Sequence, residues 1–314
     1  MAVHAELASW LAGRSDDELI ELVAQGDGTT GWGVSRSLAF GGHPVFVKAI
    51  PVTELELGNR GSTRNLFGLP VVYQYGVGSA GFGAARELAA HQKTTGWVLD
   101  GRIASFPLLH HHRLLPMPAQ TRTTDRERLD RYVTHWDGNQ AIREFVTARE
   151  RSTRSMVMFI EHIPHVLQEW LPLNQDHVGS VIEQAVAITA FLRAENVAHF
   201  DANPSNILTD GERLFFADFG LFLDAEFDLD DDERTFLSTH RYFDIAEFFA
   251  TLNWPAPNQP VEHGRAYKQA LAPYRPLIEE MSGVFARLMA GPKTAAGYDD
   301  TTIERLLLDI ASRR

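Results

Sequence analysis

Three polar residues, Asp201, Asn206 and Asp218, lie in two short segments, residues 199–208 and 216–220, that are typical of short strands with their turns. A carboxylate such as that of Asp201 accepts the proton of an attacking hydroxyl group. The amide and carboxylate oxygens of Asn206 and Asp218 are hard ligands that suit Mg²⁺. A positioning carboxylate followed by two metal ligands is the layout of phosphoryl transfer.

The order His-x-Asp, four residues, Asn and then Asp-Phe-Gly resembles the catalytic loop and metal-binding segment of the protein-kinase-like superfamily. That superfamily includes protein kinases and phosphotransferases of the aminoglycoside-kinase and choline-kinase types. The resemblance implies an α+β, two-lobed fold, with a small antiparallel β-sheet and a helix in the N-lobe and a mainly helical C-lobe. It also implies that Asp201 is catalytic, that Asn206 and Asp218 bind Mg²⁺, and that ATP is the phosphoryl donor.

A glycine-rich stretch and a lysine-bearing strand precede these segments. Gly26, Gly28 and Gly31 fit the pattern G-x-G-x-x-G, in which glycines let backbone amides approach phosphates closely. Lys48 stands in the apolar run 45–50, which favours a buried strand. This run resembles the lysine strand of the kinase-like N-lobe, which implies that Lys48 contacts the phosphates and belongs to the catalytic set.

The residues 84–92 are strong helix formers. In the superfamily, the helix after the lysine strand carries a glutamate that pairs with the lysine. The resemblance therefore implies that Glu87 pairs with Lys48 at the cofactor site. The gap along the chain is longer than usual, so Glu54 and Glu56 remain alternative partners.

The segment 155–164 and the chain after it complete the resemblance. An apolar strand running into Glu161 and Ile163 resembles the hinge that holds adenine by backbone hydrogen bonds. We expect Asp176 to cap a long helix, because the apolar residues that follow recur at helical spacing. The helix that begins near Asp244 resembles the C-lobe helix whose aspartate braces the catalytic loop.

Near the N-terminus two interpretations stay open. Ser15 and Glu18 have the spacing of a capping box, which predicts a helix over residues 15–24. The apolar run 19–23 alternatively forms the first strand of a sheet, because a glycine-rich stretch follows it.

The resemblance divides the chain into two parts. We expect residues 1–164 to form the nucleotide-binding N-lobe, with insertions near residues 51–83 and 119–154. Residues 165–314 then form the helical C-lobe, which carries the catalytic loop and the Asp-Phe-Gly segment. The length of 314 residues suits one two-lobed domain or two small ones.

The composition narrows the possible partners and compartment. A formal net charge of −12 disfavours nucleic-acid binding through a basic face. The chain has no cysteine, which excludes disulfides and thiolate metal sites and fits a reducing compartment. No apolar run approaches the length of about 20 residues that spans a bilayer. We therefore expect a cytoplasmic protein that binds neither nucleic acid nor membrane.

Two departures from the protein kinases concern regulation and the acceptor. Phe200 stands where many protein kinases have the arginine that reads activation-loop phosphorylation, so no such switch is expected. No Ala-Pro-Glu follows Gly220, so the platform for an extended peptide is expected to be reduced. The resemblance favours an atypical Ser/Thr protein-kinase-like enzyme with an unidentified hydroxyl-bearing acceptor. A kinase of small molecules (aminoglycoside-type antibiotics or sugars) and a nucleotide-binding pseudokinase module are the alternatives.

Overall fold

The computed structural model describes residues 2–30, 34–40, 42–119, 125–252 and 264–312, with the backbone alone at residues 27–30. Its internal contacts divide the chain into two compact units. The first comprises Met1–Pro70 and Ala80–His162, and the second Val71–Ser79 and Ile163–Arg314. The first unit thus ends at His162, two residues before the expected boundary at residue 164. The segment Val71–Ser79, expected in an N-lobe insertion, groups with the second unit.

The first unit is built on one antiparallel sheet with strand order β1-β2-β3-β5-β4. Its elements in chain order are α1 (Ala2–Ala12), α2 (Asp16–Gln25), β1 (Asp27–Thr30), β2 (Val34–Phe40), β3 (His43–Val52), α3 (Glu54–Gly58), α4 (Ala84–Leu99), β4 (Leu109–Leu115), α5 (Arg126–His135), α6 (Gln140–Glu150) and β5 (Arg154–Glu161). The lysine strand β3 extends further in both directions than the apolar run predicted.

Side chains alternate along β3, because successive residues of a strand point to opposite faces. Val45 and Val47 are fully buried on the face that packs against α1 and α2. Phe46 and Ile50 lie in a second apolar cluster, which includes Ala84 of α4. Lys48 has the same parity as these two residues, so the strand directs it to the face that carries α4.

The helix α2 settles the alternatives left open near the N-terminus. The Oγ of Ser15 accepts the N–H of Glu18, and a carboxylate oxygen of Glu18 accepts the N–H of Ser15 at 2.7 Å. This capping box begins the helix, and Leu19 and Val23 are buried against the sheet. The alternative of a strand over residues 19–23 is wrong.

The second unit consists mainly of helices, with only short strands. Its elements are a single-turn 3₁₀ helix (Val71–Gln74), β6 (His165–Val166), α7 (Leu167–Trp170), α8 (Val178–Ala194), β7 (Val197–Ala198), β8 (Ile207–Thr209), β9 (Leu214–Phe216), β10 (Leu223–Asp224), α9 (Asp231–Ser238), α10 (Phe243–Thr251), α11 (Arg265–Leu271), α12 (Arg275–Ala290) and α13 (Asp300–Ala311). Strands β6, β8 and β9 form one antiparallel sheet, and β7 pairs with β10. The predicted α+β fold class, with a sheet in the N-terminal part and helices in the C-terminal part, is confirmed.

The long helix that precedes residues 199–208 begins later than its expected cap. Asp176 lies in a single-turn 3₁₀ helix (Gln175–His177), and α8 follows with His177 at its N-cap and no side-chain capping bond. The prediction that Asp176 caps α8 is therefore wrong, although the helix and its buried apolar stripe are present. Among the described residues, no helix is long and apolar enough to cross a membrane.

Candidate active site

The loop that carries Asp201 is held from below by α10. The carboxylate of Asp244 accepts the backbone N–H groups of His199 and Phe200, each at 2.8 Å. Asp244 is buried, and burial raises its pKa to about 6, while the two backbone hydrogen bonds and the charge of Arg193 oppose that rise. The aspartate therefore braces the loop, as the resemblance implied.

A second buried acid of α10, Glu247, supports the same loop. Its carboxylate accepts the N–H of Ala202 at 2.7 Å. Burial raises the pKa of Glu247 well above its usual range, and the charges of Asp201 and Asp244 raise it further. Sequence reasoning missed this residue, although the spacing of Asp244 and Glu247 places both on one face of a helix.

The side chain of Asp201 is oriented by its own loop. Its Oδ1 accepts a hydrogen bond from Nδ2 of Asn203 at 2.7 Å. The other end of that amide, Oδ1 of Asn203, accepts the N–H of Ser205 at 3.0 Å. Asn203 therefore fixes one carboxylate oxygen of Asp201, and the turn fixes Asn203 in its place.

The two predicted metal ligands are brought together by the pairing of β8 with β9. Ile207 lies opposite Phe216, and just beyond that pair Ala217 donates its N–H to the carbonyl oxygen of Asn206 at 2.9 Å. The side-chain nitrogen of Asn206 donates to the carbonyl oxygen of Asp201 at 3.1 Å. This bond uses the amide nitrogen of Asn206 and not its side-chain oxygen, which is the predicted metal ligand. Asp218 follows just beyond β9.

Asp218 has left-handed backbone geometry, with φ of 62°, and its side chain is exposed. Its Oδ1 accepts the N–H of Gly220 at 3.4 Å, and the preceding residue Ala217 is tied by its carbonyl oxygen to Nε2 of His199 at 3.0 Å. Mg²⁺ uses one or two protein oxygens and completes its shell with phosphates and water. The donor set of Asn206 and Asp218 therefore fits Mg²⁺. In the described part of the chain, no three His, Asp or Glu side chains form a dedicated metal cluster.

In the first unit, Lys48 and Glu87 form an ion pair. The distance from Nζ to Oε1 is 2.5 Å, and the two side chains are 15% and 6% exposed. Of the three candidate glutamates, Glu87 is therefore the partner of Lys48. Glu54 is exposed at the start of α3 and lies outside this pair.

Glu56 has a different role from the one left open for it. One oxygen of its carboxylate accepts the N–H and the hydroxyl of Thr53, both at 2.8 Å, and the other accepts the N–H of Ala84 at 2.9 Å. Gly83 has φ of 112°, and a Cβ atom there would lie 2.6 Å from Glu56 Oε1. Glu56 thus anchors the first residue of α4, the helix that carries Glu87. The spacing Thr-x-x-Glu was the sequence signal for it.

The predicted glycines are only partly placed. Gly26 ends α2, and a Cβ atom there would lie 2.7 Å from Cδ2 of Leu38. Packing against β2 therefore requires glycine at this position. Gly28 lies in β1 opposite Arg36, and Gly31 lies outside the described residues. Phosphate binding by these glycines stays a prediction.

The predicted adenine contacts also stay predictions. Glu161 is the last residue of β5, and its backbone N–H donates to the carbonyl oxygen of Leu108 at 2.8 Å. The carboxylate of Glu161 accepts the N–H of Leu108 at 3.1 Å. Ile163 opens the longer part of the second unit.

Sequence reasoning missed a segment that lies close to Asp201, the predicted catalytic residue. A Cβ atom built on Gly76 would lie 2.5 Å from Oδ1 of Asp201. The side-chain amide of Gln74 donates to the carbonyl oxygen of Leu221, which follows the Asp-Phe-Gly segment. Residues 71–79 therefore lie between two parts of the candidate site. The surrounding stretch has no clear periodicity in the sequence, so no local signal marked it.

An aromatic cluster holds this segment in place, and Phe200 is buried within that cluster. Tyr75 and His240 share a hydrogen bond of 2.8 Å, and Nδ1 of His240 lies 2.8 Å from the carbonyl oxygen of Phe236. Burial lowers the pKa of His240 to about 4, so the ring is neutral near pH 7. Its Nδ1–H then donates to Phe236, and Nε2 accepts from Tyr75. Phe200 is fully buried, with ring centroids 5.3 Å from those of Phe236 and Phe243. Phe200 is thus part of a buried aromatic cluster.

Comparisons with known proteins show similarity to solved structures only. No protein-family model matches the chain, and no curated protein matches it. Among the solved structures that match is WaaP in complex with acyl carrier protein, with 13% sequence identity and a TM-score of 0.41. The match covers 94% of this chain and 93% of that chain.

Proposed function

We propose that this protein is an ATP-dependent phosphotransferase that moves the γ-phosphate of Mg-ATP to a hydroxyl group. The observation that carries the proposal is the assembly of Asp201, Asn206 and Asp218 on one braced loop and the strand end beside it. The Lys48–Glu87 ion pair of the first unit supports it. In this assignment Lys48 binds the phosphates of ATP.

The chemistry divides among these residues as follows. The hydroxyl oxygen of the acceptor bonds to the γ-phosphorus, the bond from that phosphorus to the β–γ bridging oxygen breaks, and ADP leaves. Asp201, whose Oδ1 is fixed by Asn203, orients the hydroxyl and takes its proton. Asn206 and Asp218 would hold Mg²⁺, which would supply neutralisation of phosphate charge. The contribution of the protein is mainly position and electrostatics.

Two classes of acceptor are candidates for the hydroxyl group that Asp201 would orient. A protein hydroxyl is the first candidate, because the catalytic loop and the Asp-Phe-Gly segment have the protein-kinase order. A small-molecule hydroxyl is the second. The contact of Gly76 with the carboxylate of Asp201 favours it, since backbone at that position takes space that an extended peptide would use. Adenine binding by Glu161 and Ile163, and phosphate binding by Gly26, Gly28 and Gly31, complete the proposed nucleotide site.

The test is phosphate transfer from Mg-ATP to a panel of generic protein substrates, aminoglycosides, macrolides and sugars. We expect turnover with at least one acceptor, and a decrease of at least about 10²-fold in Asp218→Ala, because that change removes charge stabilisation of the transition state. Asp309→Ala, at an exposed position of α13, is the control and should retain the wild-type rate. If the protein shows no turnover with any acceptor and does not bind nucleotide, the phosphotransferase proposal is excluded. Nucleotide-induced stabilisation without transfer would indicate a pseudokinase module.

A further inference from the structure

A cavity of about 320 Å³ opens in the second unit beside β7. It is bordered by the end of α8, by β7 and by α9. Three arginines line it: Arg193, Arg234 and Arg241. No acidic side chain lines it. A volume of this size is in the range of small-molecule sites, which begin at roughly 300 Å³.

In the part of the chain that the structure describes, Arg234 and Arg241 form no ion pair with a carboxylate, whereas the charge of Arg193 acts on the buried carboxylate of Asp244. Some exposed arginines elsewhere form ion pairs with nearby acids, as Arg213 does with Asp210 at 2.9 Å. Arg234 and Arg241 form no such pair, although the chain carries 41 acidic and 29 basic residues. Three like charges around one cavity repel each other. An anionic occupant would remove that repulsion.

The cavity also has an apolar wall and a preoriented guanidinium group. Val197, Ala198 and Leu229 line it and are themselves buried. The guanidinium carbon of Arg193 lies 4.5 Å from the centre of the Tyr242 ring. Stacking on an aromatic face fixes the plane of a guanidinium group and leaves its N–H groups at the edge for an anion.

We propose that this cavity is a binding site for a small molecule that carries a phosphoryl group on an apolar body. Planar guanidinium groups match the geometry of phosphate oxygens with paired N–H donors. The buried apolar residues give a second, non-polar surface for the rest of the ligand. Because β7 ends next to His199 of the catalytic loop, the site lies at the base of that loop. The proposal does not depend on phosphotransferase activity.

The test measures binding of inorganic phosphate and of phenyl phosphate by isothermal titration calorimetry at constant ionic strength. We expect saturable binding of both, with phenyl phosphate bound roughly threefold or more tightly, because it also buries apolar surface. The double variant Arg234→Ala/Arg241→Ala should bind at least about tenfold more weakly, since it removes two charged hydrogen-bond donors. Both positions are exposed, so the variant is expected to fold, and far-UV circular dichroism checks this.

The control is the charge-matched double variant Arg60→Ala/Arg265→Ala, which changes two exposed arginines outside the cavity. It should bind phenyl phosphate as the wild type does. Equal weakening in both double variants would show a general charge effect and overturn the proposal. Loss of binding in Asp218→Ala would place the anion at the candidate active site and also overturn it. Failure of phosphate transfer, by contrast, would leave this binding result unchanged.

Discussion

The two charged centres of the molecule hold their carboxylates in opposite ways. In the first unit, Glu87 lies 2.5 Å from the ammonium group of Lys48, so each charge is compensated by its partner. In the second unit, Asp201, Asp244 and Glu247 have the same sign, and backbone N–H groups rather than basic side chains hold the latter two. The first centre is balanced within itself, whereas the second concentrates negative charge.

The pKa values of the acids in the second centre reflect this lack of basic partners. Burial raises the pKa of Asp244 to about 6, and burial together with the neighbouring carboxylates raises that of Glu247. The two centres nevertheless share one device, because in each a buried carboxylate captures backbone N–H groups. Glu56 does this for α4, and Asp244 does it for the catalytic loop.

The largest effect is expected for Asp244→Ala in the second centre. The change leaves the N–H groups of His199 and Phe200 buried without their acceptor, at a cost of about 1–3 kcal/mol for each donor. We expect the free energy of unfolding, measured with urea, to fall by a comparable sum and phosphate transfer to be lost. Asp309→Ala, an exposed aspartate in another helix of the same unit, should change the unfolding energy by less than about 0.5 kcal/mol. Wild-type stability in Asp244→Ala would contradict the brace.

The pH dependence of stability sharpens that test. The folded-state pKa of Asp244, about 6, lies above the value of an unperturbed aspartate. The protonated form is therefore favoured by folding, and this contribution is full below about pH 4 and lost as pH rises through 6. Relative to Asp244→Asn, the wild type should lose about 2 kcal/mol of stability between pH 4 and pH 7. A constant difference between the two proteins would argue against a raised pKa.

The residues that sequence reasoning identified lie in continuous local patterns. Asp201, Asn206 and Asp218 fall on one loop and one short hairpin, so their order along the chain nearly determines their proximity. Lys48 and the helix of Glu87 were predicted from an apolar strand and from helix propensity. These features depend on interactions between near neighbours in sequence, which a single chain displays directly.

The missed residues depend on contacts between distant parts of the chain. Gly76 abuts Asp201 only because residues 71–79 group with the second unit, and no periodicity marks that stretch. Glu56 had a local signal, its spacing from Thr53, but its bond to the N–H of Ala84 had none. The prediction for Asp176 was wrong for the opposite reason. Its local sequence pattern favoured a helix cap, but the residue lies within a 3₁₀ turn.

A smaller effect, confined to the second centre, is expected for Gly76→Ala. The added methyl group would lie 2.5 Å from Oδ1 of Asp201 and must displace that carboxylate or the segment. A misplacement of about 1 Å at a catalytic group costs up to about 10²-fold in rate, so we expect kcat to fall by about 10- to 10²-fold. The dissociation constant of ATP should not change. Gly179→Ala, where a Cβ atom meets nothing within 4 Å, is the control. Equal kcat values for the two variants would show that Gly76 does not position Asp201.

The smallest effect is expected for Glu56→Gln in the first centre. A glutamine side chain keeps one acceptor oxygen, so either Thr53 or the N–H of Ala84 loses its acceptor. The start of α4 then loosens, and Glu87 holds Lys48 less firmly. We expect the dissociation constant of Mg-ATP to rise by about three- to tenfold, which corresponds to about 0.7–1.4 kcal/mol. Glu54→Gln, an exposed change in the same helix, should leave it unaltered. If both variants bind Mg-ATP equally, the Lys48–Glu87 ion pair does not depend on Glu56. Glu56 would then not support the first centre in the way that Asp244 supports the second.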